Sequence, residues 1–509
     1  MDIKEKKNMA IRKVELKANE RVFVGLSKQN MLFHQCIFEL CDNAIAAARN
    51  NVKVIINVAF ETIPDDDDYF YLYVCDNGVG MDVDTLEESL QLGHQPTSNS
   101  RLNEHGFGLK NSLATLSGGN GWWKLWTRAD GKNVIYVEGP FGSNMEIVDE
   151  DKTVFPDKPF ISSDVSTVVK TKVKKSFAQT VQGRGAKAND LQTIRSWLVE
   201  HLGVAYRGYL SLDEETNEIG AKISVSIGND HYSVSPVHVP IAHKDTKYFD
   251  VELGGISYRL EYNYGTLDEV KRDSLIKGKK AKYYYQGNIA TQGIDIRLGK
   301  RVIATRQFET IWRIKDEKQI TRHNRYNDFV GELIIPDIPR GVLTTVNNKT
   351  DFNLDDVEWN KIFDLMNEYK PIKKAKELGE KELKAKWISM LNATNPHDRI
   401  DDEHCVWNTG VRIDVFRQKA LPDNSIILYE LKVGSAAPIY LYQLKMYWDG
   451  LIIQGEQPDE AILLVEDYNS NIEEMANKMN GLTPPDMPNG KPSKPYNFKL
   501  TKYSEVNLL

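Results

Sequence analysis

The sequence predicts a mixed α/β protein built from several domains. The chain has 509 residues, enough for roughly two to four domains. Segments with a 3.6-residue apolar period alternate with short aromatic and β-branched runs that favour strands. Three short boxes punctuate the first quarter in a fixed order: Glu39-Leu-Cys-Asp-Asn43, Asp76-Asn-Gly78-Val-Gly80-Met81, and Gly106-Phe-Gly108-Leu-Lys110.

The first box belongs to a predicted helix, because Phe33, Ile37, Leu40, Cys41, Ala44 and Ala48 recur at helical spacing. Glu39 and Asn43 are four apart and project from one face. The Asn oxygen is a hard ligand suited to Mg²⁺. The Glu can orient and deprotonate a water. Taken alone, the pair also suits an ordinary surface helix.

The second box follows a predicted strand, Tyr69 to Val74 (YFYLYV). Asp76 can accept a hydrogen bond from an adenine amino group, and glycines let the backbone approach a base closely. A plain Asn-Gly turn is the alternative. The third box follows a polar stretch, residues 92–105, expected to be a mobile loop, and opens a helix through Leu113 and Leu116. Amides at a helix N-terminus, with glycines beside them, suit a phosphate. No Walker A sequence occurs.

In order and spacing, these boxes resemble the ATP-binding fold shared by gyrase B subunits, MutL-type repair proteins, heat-shock chaperones and histidine kinases (the GHKL or Bergerat fold). The resemblance covers residues 20–175. It implies that Asn43, Asp76, Gly78, Gly80, Met81, Gly106, Gly108 and Lys110 bind ATP, that Asn43 holds Mg²⁺, and that Glu39 supports hydrolysis. Residues 161–174 provide a closing strand, with Thr167 where this fold often places a hydroxyl near the nucleotide.

Composition sets outer bounds. With 41% hydrophobic and 27% charged residues the chain is an ordinary soluble globular type. Apolar runs are far too short for a membrane span. The first residues, MDIKEKKNMAIRK, lack an apolar signal core. Cys36, Cys41, Cys75 and Cys405 have no zinc spacing, so reduced thiols and a cytoplasmic location are expected. A net charge of −7 gives no global basic signature for nucleic acid, though a local basic groove is compatible with it.

The middle of the chain, residues 176–368, is expected to form a transducer-like α/β domain: helical over 176–208, then short strands within 221–262. Lys271, Arg272, Lys277, Lys279, Lys280 and Lys282 run into Tyr283-Tyr-Tyr285. Basic residues beside aromatics can grip a nucleic-acid backbone and stack on bases, but a solvated loop is the preferred reading. GIDIRLGKRVIATRQFETIW (293–312) and Leu343-Thr-Thr-Val-Asn-Asn-Lys349-Thr-Asp-Phe352 resemble segments of microrchidia (MORC) ATPases and their prokaryotic relatives. That resemblance makes Lys349 the candidate lysine for the γ-phosphate, where it would stabilise developing phosphoryl charge.

Residues 369–509 are expected to be a further α/β domain. A charged helix (368–391) precedes strands VRIDVF (411–416), with Asp414, and SIILYELKV (425–433), with Glu430 and Lys432. A helix over 438–450 carries Gln443-Leu-Lys-Met-Tyr447, and AILLVED (461–467) is a buried-type strand. Glu430 and Lys432 share one strand face. Asp414 and Glu430 can hold Mg²⁺ through oxygen, and Lys432 can position a water or stabilise a pentavalent phosphate. Glu-x-Lys alone is uninformative, since it recurs at Glu15, Glu269 and Glu382.

The order strand–Asp, strand–Glu-x-Lys, helix–Gln-x-x-x-Tyr resembles the PD-(D/E)xK nuclease fold, restriction-endonuclease-like, with the helix of its RecB-like branch. No Pro precedes Asp414, a departure from the pattern. The resemblance implies catalytic Asp414, Glu430, Lys432 and Gln443, with Mg²⁺ or Mn²⁺. Glu377 and Glu380 are both candidates to complete the metal shell.

The expected function is therefore an ATP-dependent homodimer whose closure gates a nuclease acting on double-stranded DNA, fitting restriction or anti-phage defence by fold-level analogy. The alternatives are an ATP-driven DNA clamp with a non-catalytic C-terminal domain, or a chaperone. A kinase is disfavoured for want of an upstream phosphoacceptor helix.

Overall fold

A computed structural model describes residues 20–94, 102, 106–155, 164–183, 190–212, 218–275, 282–312, 320–344, 356–372, 379–407 and 409–508. The chain divides into two compact units, residues 1–374 and 375–509.

The first unit opens with α1 (Glu20–Leu26) and α2 (Phe33–Ala46). The apolar period of α2 buries Phe33, Cys36, Ile37, Leu40, Cys41 and Ala44, and the same helix buries Glu39 and Asp42. The strands β1 (Val54–Ile63) and β2 (Asp66–Asp76) pair antiparallel, with Ile56 opposite Asp76. Phe70, Leu72 and Val74 of β2 turn to the helices, as the pleat requires. Helix α3 (Val83–Leu90) is capped by the Asp82 carboxylate, which accepts from the Thr85 amide. Next come α4 (Gly108–Leu116), β3 (Trp123–Thr127), β4 (Ile135–Glu138), β5 (Ile147–Asp149) and β6 (Thr167–Lys174). Then follow α5 (Lys175–Ala178), α6 (Leu191–Ala205), α7 (Arg207–Leu210), β7 (Ala221–Ile227) and β8 (Asp230–Ser233).

These strands form one eight-stranded sheet in the order β5-β4-β3-β6-β2-β1-β7-β8. Strand β7 pairs parallel with β1, Val54 opposite Ala221. The sheet and its core therefore run past residue 175, the expected domain end, as far as Val234. Strands β9 (Asp245–Leu253) and β10 (Ile256–Thr266), helix α8 (Glu269–Ser274), and strands β11 (Gly293–Leu298), β12 (Arg301–Gln307) and β13 (Phe329–Ile335) follow, with α9 (Val357–Met366) after them. The second sheet has the order β12-β11-β13-β10-β9, and Trp359, Ile362, Phe363 and Met366 of α9 belong to its core.

The second unit contains α10 (Glu380–Thr394), β14 (Arg399–Cys405), β15 (Arg412–Gln418), β16 (Ile426–Ser435), α11 (Pro438–Gln454), β17 (Glu460–Asp467), α12 (Ser470–Asn480) and β18 (Phe498–Lys502). Its sheet runs β14-β15-β16-β17-β18. The first three strands are an antiparallel meander, and β16, β17 and β18 are parallel. Helix α11 supplies the parallel crossover, and its Leu441, Leu444, Trp448 and Leu451 pack into one core of the unit. Leu383, Trp387 and Leu391 of α10 pack into the other.

Among the described residues no helix is long and apolar enough to cross a membrane. All four cysteines are free thiols, three of them buried.

Candidate functional site

The three boxes converge in the first unit, around α2. The turn after β2 docks on the C-terminal end of α2: the Val79 amide donates to the Ala47 carbonyl at 2.8 Å. A Cβ at Gly78 would stand 2.7 Å from that same oxygen, so the close approach needs glycine. Gly80 adopts φ +69°, and a Cβ there would be 2.6 Å from the Arg128 carbonyl carbon. The third box meets α2 from the other side. A Cβ on Gly108 would stand 3.1 Å from the Glu39 carboxyl carbon, and nearer still to Oε2. Gly106 has φ +66°, tight against His94. Glu39 is buried and Asn43, one turn on, half-buried.

Asp76 is held by partners that the sequence did not reveal. Its Oδ1 accepts from the Gly78 amide at 2.9 Å and from the Ser166 hydroxyl at 3.3 Å. Burial pushes its carboxyl up to about 6, against those hydrogen bonds and the Arg49 charge. Thr167 lies directly across from Asp76 in the β2–β6 ladder. Its hydroxyl is 3.3 Å from that of Thr127, which in turn accepts from the Met81 amide at 2.9 Å. Thr127 and Ser166 thus fix Met81 and Asp76; neither carries a periodic or glycine signal that would single it out.

The neighbouring Asn77 is structural. It accepts from the Ile55 amide at 2.7 Å and donates to the Lys53 carbonyl at 2.9 Å, pinning the start of β1. Lys110, expected at the phosphates, is buried, and its ammonium donates to the Ser89 carbonyl at 2.9 Å. Burial lowers its pKa to about 8. Lys349 and most of residues 92–105, the expected mobile loop, lie outside the described residues.

Of the basic–aromatic stretch, Lys282, Tyr284 and Tyr285 are buried, which removes them from any base-stacking surface. The Tyr285 hydroxyl bonds to Asp295, and that of Tyr284 to His201 at 2.7 Å. This is the packing that follows when hydroxyl tips find buried partners.

In the second unit, Asp414, Glu430 and Lys432 meet on β15 and β16. The Lys432 ammonium is 2.9 Å from Glu430 Oε1, 4.0 Å from Asp414 Oδ2 and 2.8 Å from Glu380 Oε1. Asp414 Oδ2 accepts from the Leu431 amide at 2.9 Å, which locks the two strands' side chains together. Burial and the Asp414 charge push the Glu430 carboxyl up to about 7. Burial opposes the Lys432 charge, but hydrogen bonding to Glu380 and Glu430 outweighs it and raises the lysine.

Tyr447 of α11 faces the same place, and Gln443 lies one turn before it on that helix. Among the described residues, Gln443 Oε1 is buried without a hydrogen-bond partner. The Tyr447 phenol is pushed up by burial and by the Glu430 and Asp414 charges. Two carboxylates and a carboxamide oxygen are the hard donors that Mg²⁺ or Mn²⁺ takes alongside water and substrate phosphate. Among the described residues no group of three or more His, Cys, Asp or Glu side chains is gathered to hold a metal ion. Glu380 is engaged by Lys432, and Glu377 lies outside the described residues.

Comparison with known proteins singles out the first unit. Residues 28–142 match the family described as histidine kinase-, DNA gyrase B-, and HSP90-like ATPase. This stretch contains all three boxes and is an ATPase domain of the GHKL class, which binds ATP, usually with Mg²⁺. No curated protein matches the chain.

Proposed function

We propose that ATP bound by the domain at residues 28–142 drives two copies of the chain together, and that this closure gates a metal-dependent DNA nuclease formed by residues 375–509. The chemistry of the first step rests on α2. Glu39 orients and deprotonates the attacking water, and Asn43 is the candidate Mg²⁺ ligand. Asp76 reads the adenine amino group, Thr167 stands beside it, and the α4 amides opened by Gly106 and Gly108 receive phosphate. Lys349 is the proposed γ-phosphate contact. Tighter binding of ATP to the closed form than to the open one supplies the driving force.

The observation that carries the nuclease reading is the cluster of Asp414, Glu430 and Lys432, with Tyr447 beside it and Gln443 one turn earlier on the same helix. The strand order and the crossover helix also fit the nuclease type that the sequence resembles. Asp414, Glu430 and Gln443 are the residues that would hold the metal. A divalent cation there would supply a Lewis acid and an activated water. Lys432 would then stabilise charge on the scissile phosphate, and Glu380 would hold Lys432 in place. Double-stranded DNA as substrate, a MORC-like ancestry, and a role in restriction or defence against phage extend this reading by analogy.

A second reading, an ATP-driven DNA clamp with a non-catalytic C-terminal unit, is favoured by one observation: the Lys432 ammonium already engages Glu430 and Glu380, two carboxylates that a metal would need. Both readings require nucleotide-driven association. Sedimentation of the hydrolysis-blocked Glu39→Ala protein should show monomer without nucleotide and dimer with ATP and Mg²⁺. A single species under both conditions would rule out closure by dimerisation.

A further inference from the structure

The helix that carries Glu39 and Asn43 is gripped from behind by a charge belonging to the second sheet. Asp42, between those two residues in sequence, is buried, with a side chain 1% exposed. Its Oδ1 accepts from Arg301 Nε at 3.0 Å and from the Tyr206 hydroxyl at 2.7 Å. The Tyr206 hydroxyl is also 2.9 Å from the Phe38 carbonyl, so it bonds to the backbone just before Glu39. The Arg301 guanidinium lies against the rings of both Phe38 and Tyr206, 4.8 and 4.6 Å from their centroids. One arginine from β12 therefore contacts both Phe38 and Asp42, the sequence neighbours of Glu39 and Asn43.

The same strand pair is held a second time, next door. Arg207 follows Tyr206 in sequence and faces the other way. Its Nη1 and Nη2 each donate at 2.9 Å to Asp295 of β11, and its Nη2 is 2.7 Å from Glu332 of β13. Asp295 is itself buried. Consecutive residues Tyr206 and Arg207 thus join the ATPase helix to β11, β12 and β13 through groups that have exchanged water for one another. Such pairs have few geometries open to them, because loss of one partner leaves a buried charge uncompensated. An element of this kind moves between discrete arrangements or not at all.

We propose that Asp42, Arg301 and Tyr206 are positioning residues for ATP hydrolysis, and that through them the β11–β12 strand pair senses the nucleotide. The inference rests on the ATPase reading of residues 28–142 and assigns it a route to the second sheet. Nucleotide that shifts α2 at Asn43 must shift Asp42, and Arg301 must follow or lose its partner. Conversely, any force on β12 changes where Glu39 stands.

The test uses the full chain with Tyr206→Phe, which keeps the ring, and Arg301→Lys, which keeps the charge but not the fork. Each variant should lower kcat for ATP by about tenfold or more, the scale of a small misplacement of a catalytic group. KM should stay near the wild-type value. In wild type, hydrogen exchange at residues 293–307 should slow when ADP or ATP binds. In the variants that slowing should vanish, while protection of the Asp76 strand remains. A merely structural role would lower melting temperature without splitting kcat from KM. Folded variants with wild-type kcat, or with the wild-type exchange response in the strand pair, overturn the inference alone. A wild-type protein that binds no ATP overturns it together with the reading it rests on.

Discussion

Glu39 lies against the first residue of α4, so close that Gly108 has no room for a side chain beside its carboxylate. The obstacle is the far end of a flexible side chain, not backbone. Gly108→Ala should therefore fold, with Glu39 swung aside, and the added alanine favours the helix slightly. On the proposed role of Glu39, ATP turnover should fall about 10²-fold, because the carboxylate is displaced from the attacking water. Gly106→Ala should behave differently, losing stability, since φ +66° and the His94 backbone both oppose a Cβ there. Melting curves and steady-state turnover of the two variants decide this. Normal turnover in Gly108→Ala would remove Glu39 from the reaction.

Asp76 should give nucleotide binding a pH dependence. Its carboxyl is pushed up to about 6 by burial, so it is ionised at neutral pH and takes a proton as pH falls through that value. The protonated form is a poorer acceptor for an adenine amino group. ATP affinity should therefore weaken between pH 7 and 5. Asp76→Asn should bind about tenfold or more weakly at pH 7, the scale of a hydrogen bond to a charged group. It should also lose this pH step; any fall it retains belongs to the nucleotide's phosphates. Calorimetric titration across that range is the check, and parallel pH profiles for the two proteins would contradict the role given to Asp76.

Asn77 separates architecture from chemistry within one motif. Its side chain serves the Ile55 amide and the Lys53 carbonyl. Asn77→Ala leaves both without those bonds and should cost about 1–3 kcal/mol in denaturant unfolding. KM for ATP should be little changed at a temperature where the variant is folded. A large rise in KM with unchanged stability would instead place Asn77 on the nucleotide.

Glu430 ties stability of the second unit to pH. Its folded pKa, about 7, is raised above the ordinary 4.5. The folded form thus holds a proton that the unfolded chain releases earlier. Its stabilising contribution is complete below about pH 4.5 and is lost as pH rises through about 7. Glu430→Gln, neutral throughout, should reduce the decline in melting temperature of this unit between pH 5 and 8. An unchanged slope would mean that Glu430 ionises normally.

Much of this was legible in the sequence because the signals are local. The period of α2, the turn at Asp76-Asn-Gly and the glycines at 106 and 108 each express a backbone requirement over a few residues. What escaped is non-local. Strand β7 pairs parallel with β1 across more than a hundred intervening residues, so nothing near residue 175 announces that the sheet continues. Strand β14 went unread because most of its residues are polar or charged and partly exposed. Ser166 and Thr127 are ordinary strand-end hydroxyls until Asp76 and Met81 arrive beside them. Tyr284 and Tyr285 look available for stacking until His201 and Asp295, distant in the chain, take their hydroxyls. Arg301 lies in a stretch that the sequence marked out, but its partner, Asp42, is 259 positions away.

Under the proposed function, ATP chemistry at Glu39 controls DNA cleavage at Glu430. This control is tested by incubating plasmid and linear DNA with Mg²⁺ or Mn²⁺, with and without ATP, using wild-type, Glu39→Ala and Glu430→Ala proteins. The expected result is cutting that is lost in Glu430→Ala and altered by ATP and by Glu39→Ala, with ATP turnover intact in Glu430→Ala. DNA left whole in every lane while ATP is still hydrolysed would contradict it and leave the clamp.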